Sequence, residues 1–340
     1  MIMNNIRFIN DGIKELSKIN FLTPIVFTSE RYFSRVQKSL KSNKNIVDFQ
    51  LILIESKKEP YLKNILNISK QIKINADCVI AVGGGSIIDY AKASYYLNGI
   101  TPSFNELIVN QNKQIINSGN RLPYFISLCC VTGSGAEISS SSIININNIK
   151  SYLISDSFVS NEIIYSIGDI NSLPLNLRKS GLSDSLLHII ESLFSKLQKP
   201  DFIFKMKIVI LKMIKEKYIN NIELTADDLC LISYIGGISQ DKHLVGPVHS
   251  ISHNSTFKLK HSVLVCSLFQ VVYNDEVSKF LSSEVSELFN WYYSNWNILF
   301  NEIIVKIKID KINIEESMRD ISGRYSTVSK ELLKTLKNDL

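Results

Sequence analysis

The sequence predicts a two-domain protein: an α/β domain with a parallel sheet, followed by an all-α domain. Short apolar runs alternate with amphipathic segments up to about residue 170, as in a parallel sheet covered by helices. One of these runs ends abruptly in the glycine-rich turn 83–86. Beyond Pro174 long segments with helical periodicity dominate and strand patterns nearly vanish. We therefore expect an α/β domain over residues 1–172 and a helical domain over 173–340.

Individual elements follow from local patterns in the order of the chain. Short apolar runs predict buried strands at 24–29, 49–55, 77–82 and 122–130. Amphipathic segments predict helices after the first three strands, at 30–41, 59–74 (opened by Pro60) and 87–97. Alternating polar and apolar residues predict a hairpin from 138–147 and 151–157. Helical periodicity marks 175–195, 202–218, 225–238, 247–255, 262–273 and 277–306.

The composition narrows the class of protein. With 45% hydrophobic and 21% charged residues, the chain resembles an ordinary globular protein. Its net charge of +6 is mild, and no basic cluster is interleaved with aromatic residues, so no nucleic-acid partner is expected. No run of 18 apolar residues and no signal-like N-terminus occurs, which predicts a cytoplasmic protein without a membrane anchor. Five cysteines without a CxxC pair fit reduced thiols.

The turn Gly83-Gly84-Gly85-Ser86 is a candidate anion site between a predicted strand and a predicted helix. Glycines permit positive φ and close approach of a ligand, and the N-terminus of the next helix favours an anion, most naturally a pyrophosphate. Glycines at strand ends are common without a ligand, so a structural role remains open, and the turn is not a GxGxxG motif. A second glycine-rich turn occupies 131–137.

Histidine spacing indicates a metal site. Asp184 and His188 lie four residues apart on a predicted helix, as do His249 and His253, and His261 follows shortly after. Together Asp184, His188, His249 and His261 would offer one carboxylate and three imidazoles, a set that suits Fe(II) or Zn(II). The alternative for each histidine is a satisfied core or capping residue. Four of the five histidines fall in these two segments, which favours the metal.

Three segments resemble known motifs. AVGGGSIIDYAK resembles the GGGSxxDxAK signature of the iron-dependent (group III) alcohol dehydrogenase family, in the superfamily of glycerol dehydrogenase and dehydroquinate synthase. GLSDSLLHIIES is similar to that family's G-x-D-A-L-x-H-x-I-E segment, and GPVHSISH followed by His261 is similar to its H-x3-H, spacer, H segment. The resemblance runs in order over about 20–274 and implies a dehydroquinate synthase-like fold, with a nucleotide-binding domain and a metal-binding domain.

The resemblance also implies roles for individual residues. Asp184, His188, His249 and His261 match the metal ligands, and His253 matches a histidine that relays a proton. The matches to cofactor-binding positions are Gly83, Gly84, Gly85, Ser86 and Asp89 in the first loop, Thr132, Gly133, Ser134, Gly135 and Glu137 in the second, Lys150 near the nicotinamide, and Ser29 near the adenosine ribose.

The implied activity is a metal-dependent, NAD(P)H-linked interconversion of a small aldehyde or ketone and its alcohol, with the metal polarising the carbonyl oxygen. Fe(II) is expected, Zn is possible, and the family predicts a homodimer. Ser29 replaces an acidic residue that would repel a 2′-phosphate, which permits NADP, but Glu30 could restore the repulsion, so NADP and NAD both stay open. Alternatives are a dehydroquinate-synthase-like lyase using the same metal and cofactor, and a catalytically degenerate descendant.

Two departures from the family pattern bear on activity. Cys130 and Val131 stand where a Thr-Thr pair is usual, so a hydroxyl that would contact the cofactor is missing. The spacer between His253 and His261 is two residues shorter than in typical members.

Overall fold

The computed structural model describes residues 5–55, 60–73, 75–99, 114–115, 120–146, 149–195, 197–253 and 259–307. The chain divides into two compact units. The first comprises Met1–Thr132 with Ala136–Leu173, and the second comprises Gly133–Gly135 with Pro174–Leu340. Three residues of the second glycine-rich turn therefore belong to the unit formed by the C-terminal half.

A six-stranded sheet forms the centre of the first unit. Its order is β1-β9-β6-β4-β2-β3, and every pairing is parallel. The strands are β1 (Asn5–Ile9), β2 (Pro24–Ser29), β3 (Gln50–Ile54), β4 (Cys78–Gly83), β6 (Tyr124–Cys129) and β9 (Glu162–Ser166). All six residues of β2 and of β4 are buried, because inner strands of a parallel sheet are covered on both faces.

Helices and a second, smaller sheet complete the first unit. The helices are α1 (Glu30–Ser42), α2 (Leu62–Ser69), α3 (Gly85–Tyr96) and α4 (Ile167–Asn171). The small sheet contains β5 (Gln114–Ile115), β7 (Ser141–Ile146) and β8 (Ile149–Ile154). β7 and β8 pair antiparallel, from Ser141 opposite Ile154 to Ile146 opposite Ile149, which confirms the predicted hairpin.

Six helices form the described part of the second unit from Pro174 onward. They are α5 (Leu175–Ser192), α6 (Phe202–Ile219), α7 (Ala226–His243), α8 (Pro247–His253), α9 (His261–Val272) and α10 (Ser283–Phe300). One apolar core joins them and includes Leu186, Ile210, Ile232, Phe269 and Trp296. None of the helices in the described ranges is both long and apolar enough to cross a bilayer.

The predicted class of an α/β part with a parallel sheet followed by a helical part is confirmed, with differences in detail. The sequence patterns missed β1 and β9, two five-residue strands. The helix predicted over 59–74 is shorter in the structure, at Leu62–Ser69, although residues 59 and 74 lie outside the described ranges. Residues 254–255 and 308–340 also lie outside them.

One predicted helix is longer in the structure. We expected it to end at residue 238, where polar residues begin, but α7 continues to His243. Ser239 and His243 are buried there, so polar residues face the interior of this unit. The segment predicted over 277–306 consists of a 3₁₀ turn, Asp275–Phe280, followed by α10.

Candidate functional site

Four side chains of the second unit converge on one point. Asp184 and His188 lie one turn apart on α5, His249 lies on α8, and His261 begins α9. Asp184 Oδ1 is 3.3 Å from His249 Nε2, 3.7 Å from His188 Nε2 and 3.8 Å from His261 Nε2. The structure thus brings together all four residues that the sequence suggested as metal ligands, and the shortened spacer still delivers His261.

The spacing of these atoms fits a divalent cation. Metal–ligand bonds of about 2.1 Å in a tetrahedron place neighbouring ligand atoms about 3.4 Å apart. The carboxylate-to-imidazole distances of 3.3–3.8 Å match that spacing, and donor atoms of Asp184, His249 and His261 all lie within 4.8 Å of one another. One carboxylate with three imidazoles is a donor set for Fe(II) or Zn(II) rather than for Ca²⁺ or Mg²⁺.

The buried histidines of this cluster have opposite electrostatic surroundings. Burial lowers the pKa of His188 to about 3, although Asp184 partly opposes the shift. Burial also lowers the pKa of His249, but hydrogen bonds to Asp184 and Glu191 outweigh it and raise the value to about 9. Without a metal, a proton on His249 is thus stabilised between two carboxylates. A cation bound to Nε2 would occupy the same electrostatic environment.

One edge of the cluster is accessible. The side chains of Asp184, His188 and His249 are buried, whereas that of His261 is 28% exposed. His253, at the end of α8, has its ring centroid 5.2 Å from that of His261 and 6.5 Å from that of His249. His253 therefore lies beside the accessible edge, outside the group centred on Asp184.

Sequence reasoning missed one residue of this cluster, Glu191. Its side chain is fully buried, and Oε2 lies 2.6 Å from Nδ1 of His249. The signal was present in the sequence: Glu191 follows Asp184 by seven residues and His188 by three, and this spacing places all three on one face of α5.

The first glycine-rich loop connects β4 to α3. Gly83 ends β4 with φ +156°, and Gly84 caps α3. A Cβ on Gly84 would lie 3.3 Å from the Cβ of Val131. Ser86 is exposed in the first turn of α3, and that turn carries no acidic residue. The loop therefore leaves backbone N–H groups beside a partially positive helix end, which suits an anion.

Asp89 and Lys92 of α3 have internal partners. Asp89 Oδ1 accepts a hydrogen bond from Ile143 N at 3.3 Å, and burial raises its pKa to about 7 despite the opposing charge of Lys92. Lys92, which is fully buried, donates to the carbonyl oxygens of Ala136, Ser139 and Ser141 at 2.5, 2.8 and 3.1 Å. These contacts fasten α3 to the segment after the second glycine-rich turn. Sequence reasoning gave Lys92 no role, although a lysine in a buried helix was a signal.

Three residues of the second glycine-rich turn pack against α5 and α7. Gly133 N donates to Ser233 Oγ at 2.9 Å, and Gln240 Nε2 donates to Ser134 O at 2.7 Å. Gly133 has φ +127° and Gly135 has φ +64°. A Cβ on Gly133 would lie 2.6 Å from Gly181 Cα, and one on Gly135 would lie 2.5 Å from Gly237 Cα. Backbone thus approaches backbone here, which requires glycine at positions 133 and 135.

The remaining predicted cofactor residues lie in the first unit. Ser29 ends β2 and is buried, and the exposed residues next to it are Glu30 and Arg31. Thr132 is buried. Lys150 is half-buried on β8, opposite Asn145.

The two residues that depart from the family motif have different surroundings. Cys130 is fully buried, with Sγ 4.0 Å from Asp169 Oδ2. Val131 is half-buried and lies next to Gly84 of the first loop. The substitution of Cys130 is therefore accommodated inside the first unit, and Val131 is the one that lies beside the candidate anion site.

Comparisons with known proteins show which families this chain resembles. Residues 4–166 match the family model described as iron-containing alcohol dehydrogenase. An alcohol dehydrogenase of Thermococcus barophilus is 23% identical over 212 residues, which cover 61% of this chain and 56% of that protein. The chain thus aligns with just over half the length of this relative.

Two solved structures share the fold. The iron-containing alcohol dehydrogenase from Thermococcus thioreducens superposes with a TM-score of 0.77 at 17% identity, over 100% of both chains. The sulfoacetaldehyde reductase from Bifidobacterium kashiwanohense, solved in complex with NAD+, superposes with a TM-score of 0.75 at 16% identity, over 99% of this chain and 96% of that one.

Proposed function

We propose that this chain is a metal-dependent oxidoreductase of the iron-containing alcohol dehydrogenase type, because that family model matches residues 4–166 and the fold is shared. It interconverts a small aldehyde or ketone and its alcohol with a nicotinamide cofactor. The observation that carries the proposal is the convergence of Asp184, His249 and His261, whose donor atoms all lie within 4.8 Å of one another, with His188 Nε2 3.7 Å from the same carboxylate oxygen.

The residues of the site have two roles: some bind the metal ion, and one transfers a proton. When bound, the cation supplies Lewis-acid polarisation of the carbonyl oxygen and the nicotinamide supplies the hydride. Asp184 and the three imidazoles hold and orient the cation. His253, 5.2 Å from the exposed edge at His261, is the catalytic acid that returns a proton to the alcohol oxygen, because an imidazole titrates near neutral pH.

The cofactor-binding residues complete the proposal. Gly83, Gly84, Gly85 and Ser86 bind the pyrophosphate at the N-terminus of α3, as the open turn there permits. Asp89, Thr132, Gly133, Ser134 and Lys150 shape or contact the rest of the cofactor site. We accordingly assign cofactor binding to residues 1–172 and metal and substrate binding to 173–340.

The identity of the cofactor depends on two exposed neighbours. Ser29, at the position near the adenosine ribose, has no charge to repel a 2′-phosphate; of its exposed neighbours, Glu30 opposes a 2′-phosphate and Arg31 favours one. A similar fold has been solved with NAD+. The cofactor is therefore NADP or NAD, and the ratio of the turnover rates with NADPH and with NADH decides between them. The metal is Fe(II), or Zn(II), since both accept this donor set.

The proposal also includes the cellular location, the oligomeric state and the partners of the protein. We expect a cytoplasmic homodimer that acts on small molecules and has no nucleic-acid or membrane partner. The mild net charge and the absence of basic clusters support the expected partners. The dehydroquinate-synthase-like lyase is not favoured, because the relatives found are alcohol dehydrogenases.

Metal content tests the proposal directly. Protein reconstituted anaerobically with Fe(II) and desalted should retain about one metal per chain and oxidise NADPH or NADH with a panel of aldehydes. His249→Ala should retain none, because it removes the ligand nearest to Asp184. His253→Ala is the matched control and should keep its metal. A folded wild-type protein that retains neither iron nor zinc would overturn the mechanism and favour a degenerate descendant.

A further inference from the structure

The carboxylate of Glu191 is surrounded by donors from the N-terminal turn of α8. Its oxygens accept hydrogen bonds from the backbone N–H groups of Gly246 at 2.9 Å, Val248 at 2.7 Å and His249 at 3.4 Å. Tyr273 Oη donates to Oε1 at 3.1 Å. This buried anion of α5 thereby fixes the position of α8.

The same carboxylate determines which nitrogen of His249 carries a proton. Glu191 Oε2 lies 2.6 Å from Nδ1 of His249. The same oxygen accepts from the backbone N–H of Gly246, so it acts as an acceptor here and Nδ1 carries the donated hydrogen. Nε2 then faces Asp184 Oδ1, 3.3 Å away, and is the nitrogen left to bind a metal.

The Nδ1 atoms of the other two imidazoles have different surroundings. Nδ1 of His188 is buried and has no hydrogen-bond partner within the part of the chain that the structure describes. Nδ1 of His261 lies 3.4 Å from the neutral hydroxyl of Ser252. The contact with Glu191 thus gives Nδ1 of His249 a carboxylate partner that Nδ1 of His188 lacks among the described residues.

Gly246 and Tyr273 both permit the contact between Glu191 and α8. A Cβ on Gly246 would lie 2.6 Å from Glu191 Oε1, so the residue before α8 must be glycine for the carboxylate to reach the backbone. Tyr273, which follows α9, is itself buried and donates to the same oxygen, Oε1.

We propose that Glu191 is a positioning residue, which orients His249 toward the metal and fixes its tautomer, and that Tyr273 holds Glu191 in place. This inference rests on the proposed metal site. It concerns the affinity of that site, which can be measured without any turnover.

The test compares metal affinity between variants of the metal-free full chain. Zn(II) or Co(II) is titrated in competition with a chromophoric chelator, and far-UV circular dichroism verifies folding. Glu191→Gln keeps the size of the side chain but removes its charge, and should weaken metal binding roughly 10- to 100-fold. Glu15→Gln is the control. It also removes a buried carboxylate with a side-chain donor, Lys18, but in the first unit, and it should leave metal affinity unchanged.

The outcomes separate this inference from the proposed function. If the wild-type chain binds no metal, the proposed metal site itself fails. If the wild-type chain binds and a folded Glu191→Gln variant binds within twofold of it, the positioning role is refuted while the metal site stands. If the Glu191→Gln variant does not fold, the metal affinity of the Tyr273→Phe variant tests the positioning role instead. Loss of one hydrogen bond to the carboxylate should weaken binding roughly two- to tenfold, and unchanged affinity would refute the role.

Discussion

At the scale of single residues, the surroundings of each histidine separate the candidates for ligand and acid. His188 and His249 are buried beside Asp184, His261 is partly exposed, and His253 stands beside them at the end of a helix. The same residue type can thus hold a cation or transfer a proton, depending on whether it faces the shared carboxylate.

This difference predicts how a His253→Gln variant behaves. Metal content should equal that of the wild type, since His253 lies outside the group around Asp184. Turnover of the aldehyde should fall roughly 100-fold or more, the usual loss on removing a general acid. Metal analysis beside steady-state kinetics makes the comparison. A variant that loses its metal in parallel with its activity would identify His253 as a ligand instead.

Gly133 offers a second prediction at this scale. Gly133→Ala adds a Cβ 2.6 Å from the backbone of Gly181 at a positive φ, so we expect a loss of more than about 2 kcal/mol in the free energy of unfolding. Gly99→Ala is the control. Its φ is +72° but no atom lies within 4 Å, and it should cost only about 1 kcal/mol. Denaturant unfolding measures both, and equal losses would show that the close approach is unimportant.

At the scale of elements, α6 and α7 are joined by a buried polar pair. Lys207 Nζ lies 2.8 Å from His243 Nδ1 and 2.6 Å from Gln198 Oε1. Burial lowers the pKa of Lys207 to about 7, although Asp201 partly opposes the shift. The unfolded chain therefore binds more protons than the native one between about pH 7 and pH 10.4, and the free energy of unfolding should rise with pH across that range.

Replacing the lysine should remove that rise. Lys207→Met keeps the length of the side chain, and we expect the gain between pH 7 and pH 10 to be smaller than in the wild type by about 1–3 kcal/mol. Lys205→Met, at an exposed position of the same helix, should keep the wild-type slope. Urea unfolding at several pH values measures the slopes. Identical pH dependence in all three proteins would show that Lys207 is charged when folded.

Elements were predictable from the sequence where the pattern was long or rich in glycine. The β4 to α3 junction and the helices of the second unit followed from apolar runs and periodicity, and the histidine spacing led to the metal cluster. β1 and β9 were missed for different reasons. β1 is an edge strand without a fully buried residue, and Arg7 interrupts its apolar run, whereas β9 has five residues in a stretch without clear boundaries. Glu191 shares a helical face with Asp184 and His188, but the partners that reveal its role lie over fifty residues away in the sequence.

At the scale of the whole molecule, each unit should be stabilised by its own ligand. A metal at a free concentration of 100 times its dissociation constant raises the free energy of unfolding by about 2.7 kcal/mol, because only the native state binds it. Hydrogen exchange should therefore show protection by metal in α5, α8 and α9, and protection by NADPH or NADH around α3. The His249→Ala variant should lose only the first effect. Protection of α3 by metal alone, with none in α5, would contradict the assignment of ligands to units.

The membership of Gly133–Gly135 in the second unit limits how this protein can be dissected. A fragment that starts at Pro174 would leave the surfaces of Gly181 and Gly237 without the backbone that covers them. A fragment that ends at Leu173 would carry the missing piece with nothing to dock on. Exchange of halves between relatives meets the same obstacle, because one crossover point cannot transfer the second unit intact. We therefore expect these two units to be inherited, expressed and engineered together.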